Sequence, residues 1–285
     1  MKNSLKIKCP AKINLTLEIV NKREDGFHNI KSIMQTISLY DYLTIQTSES
    51  TTSKIILDGN SNEIPYNETN LAYKAAKLYV ETANIKNRQI EIFIEKNIPI
   101  AAGLAGGSTD AAGTIFGLNK IFGEPLTYKE LHDLCASLGS DLNVCLEGGC
   151  ILATSRGEVI QNLPVVKNDI TLIKPKNLGI SAKEAYTKYS LKELKPQNNN
   201  TEKMQKAILE NKNINEFLYN DLEYAIFNDY SELQKIKRNY PNSIMSGSGS
   251  TYFVLENIKE SALDENYLVI DNLHFVTSGV EIVSA

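Results

Sequence analysis

The sequence is short of the residues that metal centres and disulfide frameworks need. Its four cysteines, Cys9, Cys135, Cys145 and Cys150, form no Cys-x-x-Cys pair, and its histidines are His28, His132 and His274 alone. Zinc sites of the usual spacing are therefore excluded, and the cysteines read as small buried hydrophobes. A basic surplus is missing too. Lys and Arg number 30 against 34 Asp and Glu, a net charge of −4, which argues against a dedicated nucleic-acid binder. No run approaches the roughly 18 consecutive apolar residues of a membrane span, and the basic start, residues 1–8, has no apolar signal core behind it. The expectation is a cytoplasmic protein with neither a membrane nor a nucleic-acid partner, its oligomeric state unspecified. No internal repeat of fixed period is visible. What the chain does have is 42% hydrophobic residues in short runs across 285 positions, enough for one large domain or two small ones and too much for disorder.

Periodicity supplies the elements. Ile13, Leu15, Leu17 and Ile19 alternate with Lys12, Asn14, Thr16 and Glu18, which predicts a strand with one buried face and one polar face. Asp25-Gly26 marks a tight turn, and residues 37–45 read as a second strand. Asn70 precedes Leu71, Ala75, Leu78 and Tyr79, a helical spacing with a plausible cap. Ile90, Ile92 and Ile94 alternate with polar positions as a further strand. A helix is expected to open at Ser108-Thr109-Asp110 and to stop at Gly123 and Pro125. Thr127-Tyr-Lys-Glu130 is a capping box for the next helix, which Gly139 ends. Residues 140–143 lead into an expected hairpin turned at Gly148-Gly149. Beyond residue 165 come a strand at 170–173, a solvated loop at 195–200 and helices to Tyr240. Residues 243–255 then read strand, glycine loop, strand, and strand and helix patterns are expected to continue to the end. Mixed strands and helices with hairpin register predict an α+β fold rather than a doubly wound parallel sheet.

Three segments could carry chemistry. The stretch Gly103-Leu-Ala-Gly-Gly-Ser-Thr109 is built of small residues at a helix start, where backbone N–H groups and the positive end of the helix dipole can meet phosphates. It is neither a Walker A loop, since no Lys-Ser/Thr follows, nor a dinucleotide Gly-x-Gly-x-x-Gly. Asp141, in the apolar surroundings of Leu138, Leu142, Val144 and Cys145, is either a turn or cap residue or a partly buried carboxylate needing a cation. Lys12 is a candidate for that cation, on the same polar strand face as Asn14, and could equally sit on a solvated face. The second glycine loop, Ser246-Gly-Ser-Gly-Ser-Thr251, lies between strand-like runs and reads as a tight functional turn. Asp110 reads as a first-turn helix acid, unfavourable beside phosphates unless it points away or meets a magnesium ion.

In combination these blocks resemble the GHMP kinase superfamily. The resemblance is strongest to its branch acting on 4-diphosphocytidyl-2-C-methyl-D-erythritol in non-mevalonate isoprenoid precursor synthesis. It rests on Pro10-Ala-Lys-Ile-Asn-Leu15, Asp25-Gly-Phe-His28, the run from Ile98 to Ala112, Gly139-Ser-Asp141 and Ser246-Gly-Ser-Gly-Ser250, in order over nearly the whole chain. The resemblance implies an ATP-binding N-terminal domain over residues 1–165 and a ferredoxin-like α/β C-terminal domain over 166–285. It implies a small-molecule kinase that uses ATP, with Mg2+ whose ligands the sequence does not indicate, to phosphorylate the acceptor's 2-hydroxyl. Gly103, Leu104, Ala105, Gly106, Gly107, Ser108 and Thr109 would hold the ATP phosphates, with Asn70 and Lys96 near the adenosine. Lys12 and Asp141 would be catalytic, and Asn14 would bond near the reacting hydroxyl. Phe27 and His28 would lie at the cytosine with Tyr186 on its other face. The chain departs from the branch's usual pattern at Phe27 (commonly Tyr), at Leu142-Asn143-Val144 (commonly Val-Pro-Phe) and at Ser181-Ala182 (commonly Pro-Thr). Another superfamily kinase, for mevalonate or homoserine, and a nucleotide-binding protein without catalysis are the competing readings. The Asp-Gly-Phe-His block argues against the first, and Lys12 with Asp141 against the second.

Overall fold

The computed structural model describes residues 4–190, 198–259 and 261–283. Two strands organise the first half. β1 (Ser4–Lys22) and β2 (His28–Glu49) pair antiparallel along their whole length. The expectation of a polar, solvated face on β1 fails: Lys12, Asn14, Thr16 and Glu18 are all buried. A register shift between Asn14 and Thr16 leaves Leu15 as the extra residue, so Ile13 and Leu15 enter one core cluster and Leu17 and Ile19 another. A bulge of this kind re-aims side chains, which strict period-two reading does not register.

β3 (Lys54–Gly59) and β4 (Arg88–Glu95) extend the sheet from the second half of β2, while β5 (Cys150–Ser155) and β6 (Val159–Leu163) branch from its first half. Against one face pack α1 (Leu71–Thr82), α2 (Gly106–Ile121), α3 (Tyr128–Leu138) and α4 (Leu142–Glu147). Ile7, Leu43, Ile45, Ile115 and Leu118 are fully buried between these layers, each worth about 1.5–3 kcal/mol of transfer free energy. Asn70 caps α1 by accepting from the Ala72 N–H, and the Thr127–Glu130 box opens α3, both as the sequence predicts. Two expectations need correction. α2 starts at Gly106, two residues before the expected Ser108, because a glycine pair can enter the first turn without a capping side chain. The segment before Gly148-Gly149 is α4 rather than a hairpin arm. A short segment buried at five of its six positions fits strand and helix equally, so periodicity could not decide. The hairpin is the β5–β6 pair, turned at residues 156–158.

The second sheet holds β7 (Asp169–Pro175), β9 (Ile244–Met245), β10 (Tyr252–Val254) and β11 (Tyr267–His274), all antiparallel. Its spatial order, β11-β7-β10-β9, is the 4-1-3-2 arrangement of a ferredoxin-like layer. The crossover from β7 to β9 carries α5 (Ala182–Ser190), α6 (Asn200–Leu209), α7 (Asp221–Ile226) and α8 (Ser231–Asn239). The crossover from β10 to β11 carries no helix among the described residues, contrary to the expected strand and helix alternation. Of the expected loop at 195–200, Lys195–Gln197 lie outside the described residues and Asn200 already begins α6. β8 (Tyr219–Asn220) and β12 (Glu281–Ile282) return to flank β1, so the C-terminal half contributes two strands to the first sheet. That return seats the two halves against each other along β1, where the site lies.

Candidate active site

The glycine loop before α2 fixes the position of everything else. Ala105, in the left-handed region at φ 60°, is the N-cap of α2 and supplies no side-chain cap. The first N–H groups of α2 are thus left without a capping side chain, the ordinary construction of a phosphate site. Gly103, at φ +74°, lies so close to the Ser246 carbonyl that any Cβ would collide with it. The second glycine loop buttresses the first: Ser246 Oγ donates to the Gly103 carbonyl at 3.0 Å, and the Thr251 N–H to the Ala102 carbonyl at 3.3 Å. The Lys12 N–H donates to the Leu104 carbonyl at 3.1 Å, stitching the loop to β1.

Over this frame Lys12, 2% exposed, gathers its partners. Its Nζ donates to Asn14 Oδ1 at 2.7 Å and to the Gly103 carbonyl at 3.3 Å, and lies 3.4 Å from Asp141 Oδ2. Asn14 is oriented in turn, its Nδ2 donating to Ser32 Oγ at 2.8 Å. Asp141 occupies the N-cap position of α4 but makes no side-chain capping bond. Of the two readings open for it, the carboxylate facing a cation is the one the geometry supports. The carboxylate is not spent on its own helix and stays partly open to solvent. Asp110 points the other way, into the core. Lys96, Asp41 and Asp110 form a buried triad, with Lys96 Nζ 2.8 Å from Asp110 Oδ2 and bonded also to Asp41. Burial pushes the Asp110 carboxyl up to about 7, against the pull of Lys96. Burial draws the Lys96 ammonium down, but the two carboxylates more than offset it and the net shift is upward.

A cavity of about 910 Å3 runs from Lys12 and Asp141 to Phe27, His28 and Tyr186, the size range of sites for nucleotide-like ligands. Gly103, Ala105 and Ser108 reach its wall, whereas the Leu104 and Thr109 side chains are buried behind it. Asn14 also lines it. Asn70 and Lys96 do not. Asn70 is engaged in capping α1, and its Nδ2 donates to the Pro65 carbonyl. Lys96 lies under the loop, 2.8 Å from where a Gly106 Cβ would stand.

At the far end both expected rings, Phe27 and Tyr186, line the cavity with His28. Tyr186 stacks on His28, with centroids 5.2 Å apart and planes 22° from parallel, and His28 Nε2 is 3.2 Å from Ser190 Oγ. Burial, and then the nearby Lys22, hold the His28 imidazole below its ordinary pKa. Phe27 is 52% exposed, and the Arg156 guanidinium lies over its ring at 5.2 Å. Phe27 and Tyr186 thus share one cavity. Sequence reasoning missed Ser32, which orients Asn14, and Arg156. Arg156 sits in a charged Gly turn of the kind that is normally solvated, and only the fold turns it inward. The cysteines are buried with thiols pushed up by burial, as expected of core residues. No helix among the described residues is long and apolar enough to cross a membrane.

Comparison with known proteins agrees with this geometry. Residues 70–150 match the family model described as the GHMP kinases N terminal domain. The chain is 41% identical over 266 residues to the 4-diphosphocytidyl-2-C-methyl-D-erythritol kinase of Clostridium tetani, covering 90% of this chain and 93% of that one. It is 39% identical to the enzyme of the same name from Bacillus cereus, covering 88% of each. A crystal structure of 4-(cytidine 5'-diphospho)-2C-methyl-D-erythritol kinase superposes with a TM-score of 0.72 at 29% identity, over 88% of this chain and 90% of that one. The homoserine kinase of Cytophaga hutchinsonii superposes with a TM-score of 0.77 at 18% identity, over 99% and 98%, a likeness of fold alone. The two-domain α+β fold, the loop and the Lys12–Asp141 pair therefore sit in a chain that belongs to the 4-diphosphocytidyl-2-C-methyl-D-erythritol kinase family of GHMP kinases.

Proposed function

We propose that this protein transfers the terminal phosphoryl group of ATP to the 2-hydroxyl of 4-diphosphocytidyl-2-C-methyl-D-erythritol, a step of non-mevalonate isoprenoid precursor synthesis. The observation that carries the reading is the Asp141 carboxylate, unspent on its helix and facing Lys12 beside the Gly103 carbonyl. That pair stands where the phosphate loop meets the acceptor cavity. Phosphoryl transfer asks a protein mainly to position two reactants and stabilise charge. Asp141 would accept or orient the hydroxyl proton, Asn14 would hold the hydroxyl's neighbourhood, and Lys12 would offset charge on the transferring group. The N–H groups of the first turn of α2, with Ser108, would hold the nucleotide phosphates. Asn70 and Lys96 stay on the nucleotide side in this reading, as supports of α1 and of the loop rather than as free donors.

A divalent cation would find few protein ligands in this donor set. The described residues hold no cluster of three or more His, Cys, Asp or Glu side chains suited to a metal, and Asp110 is committed to Lys96. Magnesium keeps water and substrate phosphates as ligands and needs few protein oxygens, so cavity-lining oxygens such as those of Ser108 and Asp141 would suffice to hold it. When bound it would neutralise charge on the phosphate oxygens. Incubation with ATP and each of the cytidyl acceptor, mevalonate and homoserine, followed by phosphorus NMR, tests the assignment. A new phosphate ester is expected with the cytidyl acceptor, abolished by EDTA. An ester formed only with mevalonate or homoserine would refute it.

A further inference from the structure

The second glycine loop is held in place by Asn220, a residue 4% exposed at the start of α7. Its Nδ2 donates to the Met245 carbonyl at 2.6 Å and to the Gly247 carbonyl at 2.9 Å. Its Oδ1 accepts from the Leu222 N–H at 2.8 Å and the Glu223 N–H at 3.3 Å. All four hydrogen-bonding positions of the amide are thus filled. Turned over, it would set oxygen against two carbonyls and hydrogens against two N–H groups, which fixes its orientation. The cap alone does not call for an amide. Serine and aspartate serve an N-cap equally well, and neither carries two donors on its far side.

The neighbours of Asn220 tie the same loop to β1. β8 lies parallel to β1, with Asn220 opposite Leu17. Asp221 Oδ2 accepts from the Ile19 N–H at 2.7 Å, and Glu223 Oε2 from the Met245 N–H at 3.0 Å. The loop then meets the reacting cluster. Ser246 Oγ accepts from the Asn14 N–H at 3.3 Å and donates to the Gly103 carbonyl at 3.0 Å. A Cβ on Gly247 would stand 3.0 Å from the Gly103 carbonyl oxygen and 3.4 Å from Asn14 Oδ1. Those are the two oxygens to which Lys12 Nζ donates. A continuous set of contacts therefore runs from the Asn220 amide, through the loop, to both acceptors of the Lys12 ammonium.

We infer that Asn220 is a positioning residue for phosphoryl transfer: it fixes the second glycine loop at the spacing that sets the Gly103 carbonyl and Asn14 Oδ1 around Lys12. The inference rests on the proposed function for the reaction it names. Asn220 is not among the residues that line the cavity, so its loss should displace reacting groups rather than remove a contact with either substrate. Misplacement of about 1 Å from a distant change can cost about 100-fold in rate.

Asn220→Asp and Asn220→Ser test this. Both keep an oxygen for the α7 cap, and neither can donate to both carbonyls. The first keeps the side chain's shape and the second adds no charge, so either one that folds gives the result. Asn119→Asp is the structural control. Asn119 is also a buried amide, bonded to both backbone groups of Leu126 and outside the cavity lining. Kinetics are read at a temperature where circular dichroism shows the proteins folded. The kcat of the Asn220 variants should fall roughly 10- to 100-fold, with KM for ATP and for the acceptor within a few-fold of wild type. Asn119→Asp should lower the melting temperature and leave kcat alone. Ser246→Ala should also lower kcat, and adding Asn220→Ser to it should cost little more, since both act along one path. Wild-type kcat in the folded Asn220 variants, or failure of both to fold, would reduce Asn220 to a structural tie. Raised KM with unchanged kcat would overturn the positioning role by making the loop a binding element. Losses that multiply in the double variant would overturn the path through Ser246. A wild type that forms no ester with the acceptor overturns the proposed function instead, and that is read before any variant is compared.

Discussion

Asp141→Asn is the most direct test of the chemistry, because the structure separates its effects on catalysis and on folding. The side chain keeps its shape and loses its charge. Asp141 is 31% exposed and meets Lys12 at 3.4 Å, a pair open to solvent on one side, so its removal should cost little stability, about 1 kcal/mol. Lys12 retains Asn14 Oδ1 at 2.7 Å and the Gly103 carbonyl at 3.3 Å, so its ammonium is not abandoned in the core. Turnover should suffer far more, since an amide accepts a proton poorly. The expected fall in kcat is roughly 10²–10⁴-fold, the usual scale for losing a general base.

Lys12→Met is the informative partner. It removes the same ion pair and also strips Asn14 Oδ1 of its donor in a buried setting, where an unmatched group costs about 1–3 kcal/mol, while the Gly103 carbonyl keeps the Ser246 hydroxyl. Lys12→Met should therefore match Asp141→Asn in lost turnover yet exceed it clearly in lost stability, and the double variant should be far less than multiplicative in kcat. Steady-state kinetics with urea denaturation on the four proteins measures both quantities. Asp141→Asn with near-wild-type kcat and an unchanged midpoint would refute the catalytic role and leave Asp141 a turn residue.

The Lys96–Asp41–Asp110 triad should matter to stability: Lys96→Met leaves two buried carboxylates without a cation and should cost about 3–5 kcal/mol in chemical denaturation. Because the Asp110 carboxyl is raised from 3.8 to about 7 in the folded protein, the native state binds the extra proton between those values. Asp110 alone therefore lowers stability as pH rises through that window, and Asp110→Asn should flatten that part of the stability–pH curve. Tyr186→Ala removes the ring stacked on His28 and should raise acceptor KM by roughly 5- to 150-fold with kcat held, on the scale of base–aromatic stacking, whereas Phe27→Tyr, which keeps the ring face, should be nearly neutral by the same kinetics. Asn143→Ala cuts the tie from α4 to the Glu158 carbonyl and should lower stability by about 1 kcal/mol. It should also raise acceptor KM a few-fold through Arg156, read by thermal melting and by KM for the two substrates separately.

What was legible in the sequence was whatever local chemistry decides. A capping side chain announces itself at Asn70 and Thr127, and alternating isoleucines announce β4, because both depend on residues within one turn or one strand. The loop at Gly103 was legible for the same reason: small residues before a helix have few other uses in that pattern. The failures share a different cause. The bulge at Leu15 depends on β2, so alternation alone placed Lys12 on a face that could have been solvated, when folding buries it under two glycine loops. Five of the six residues of α4, Asn143 among them, are buried, so burial on every side erases the very periodicity that would have named them a helix. The aromatic end shows the limit most clearly. The resemblance offers Phe27 and Tyr186 as two rings for one flat base. In the fold both line the cavity, and each has a partner no motif named: Tyr186 stacks on His28, and over the Phe27 ring lies Arg156, a residue 129 positions further along the chain. Motifs name the residues that face a ligand, but the partners that aim them come from elements whose mutual placement no local pattern encodes. Asn143 belongs to that second group. At a position where the branch commonly has proline, this chain has an amide that can reach the β5–β6 turn, and proline has no side-chain donor with which to do so. The departure from the motif thus coincides with a tie between α4 and the turn that carries Arg156.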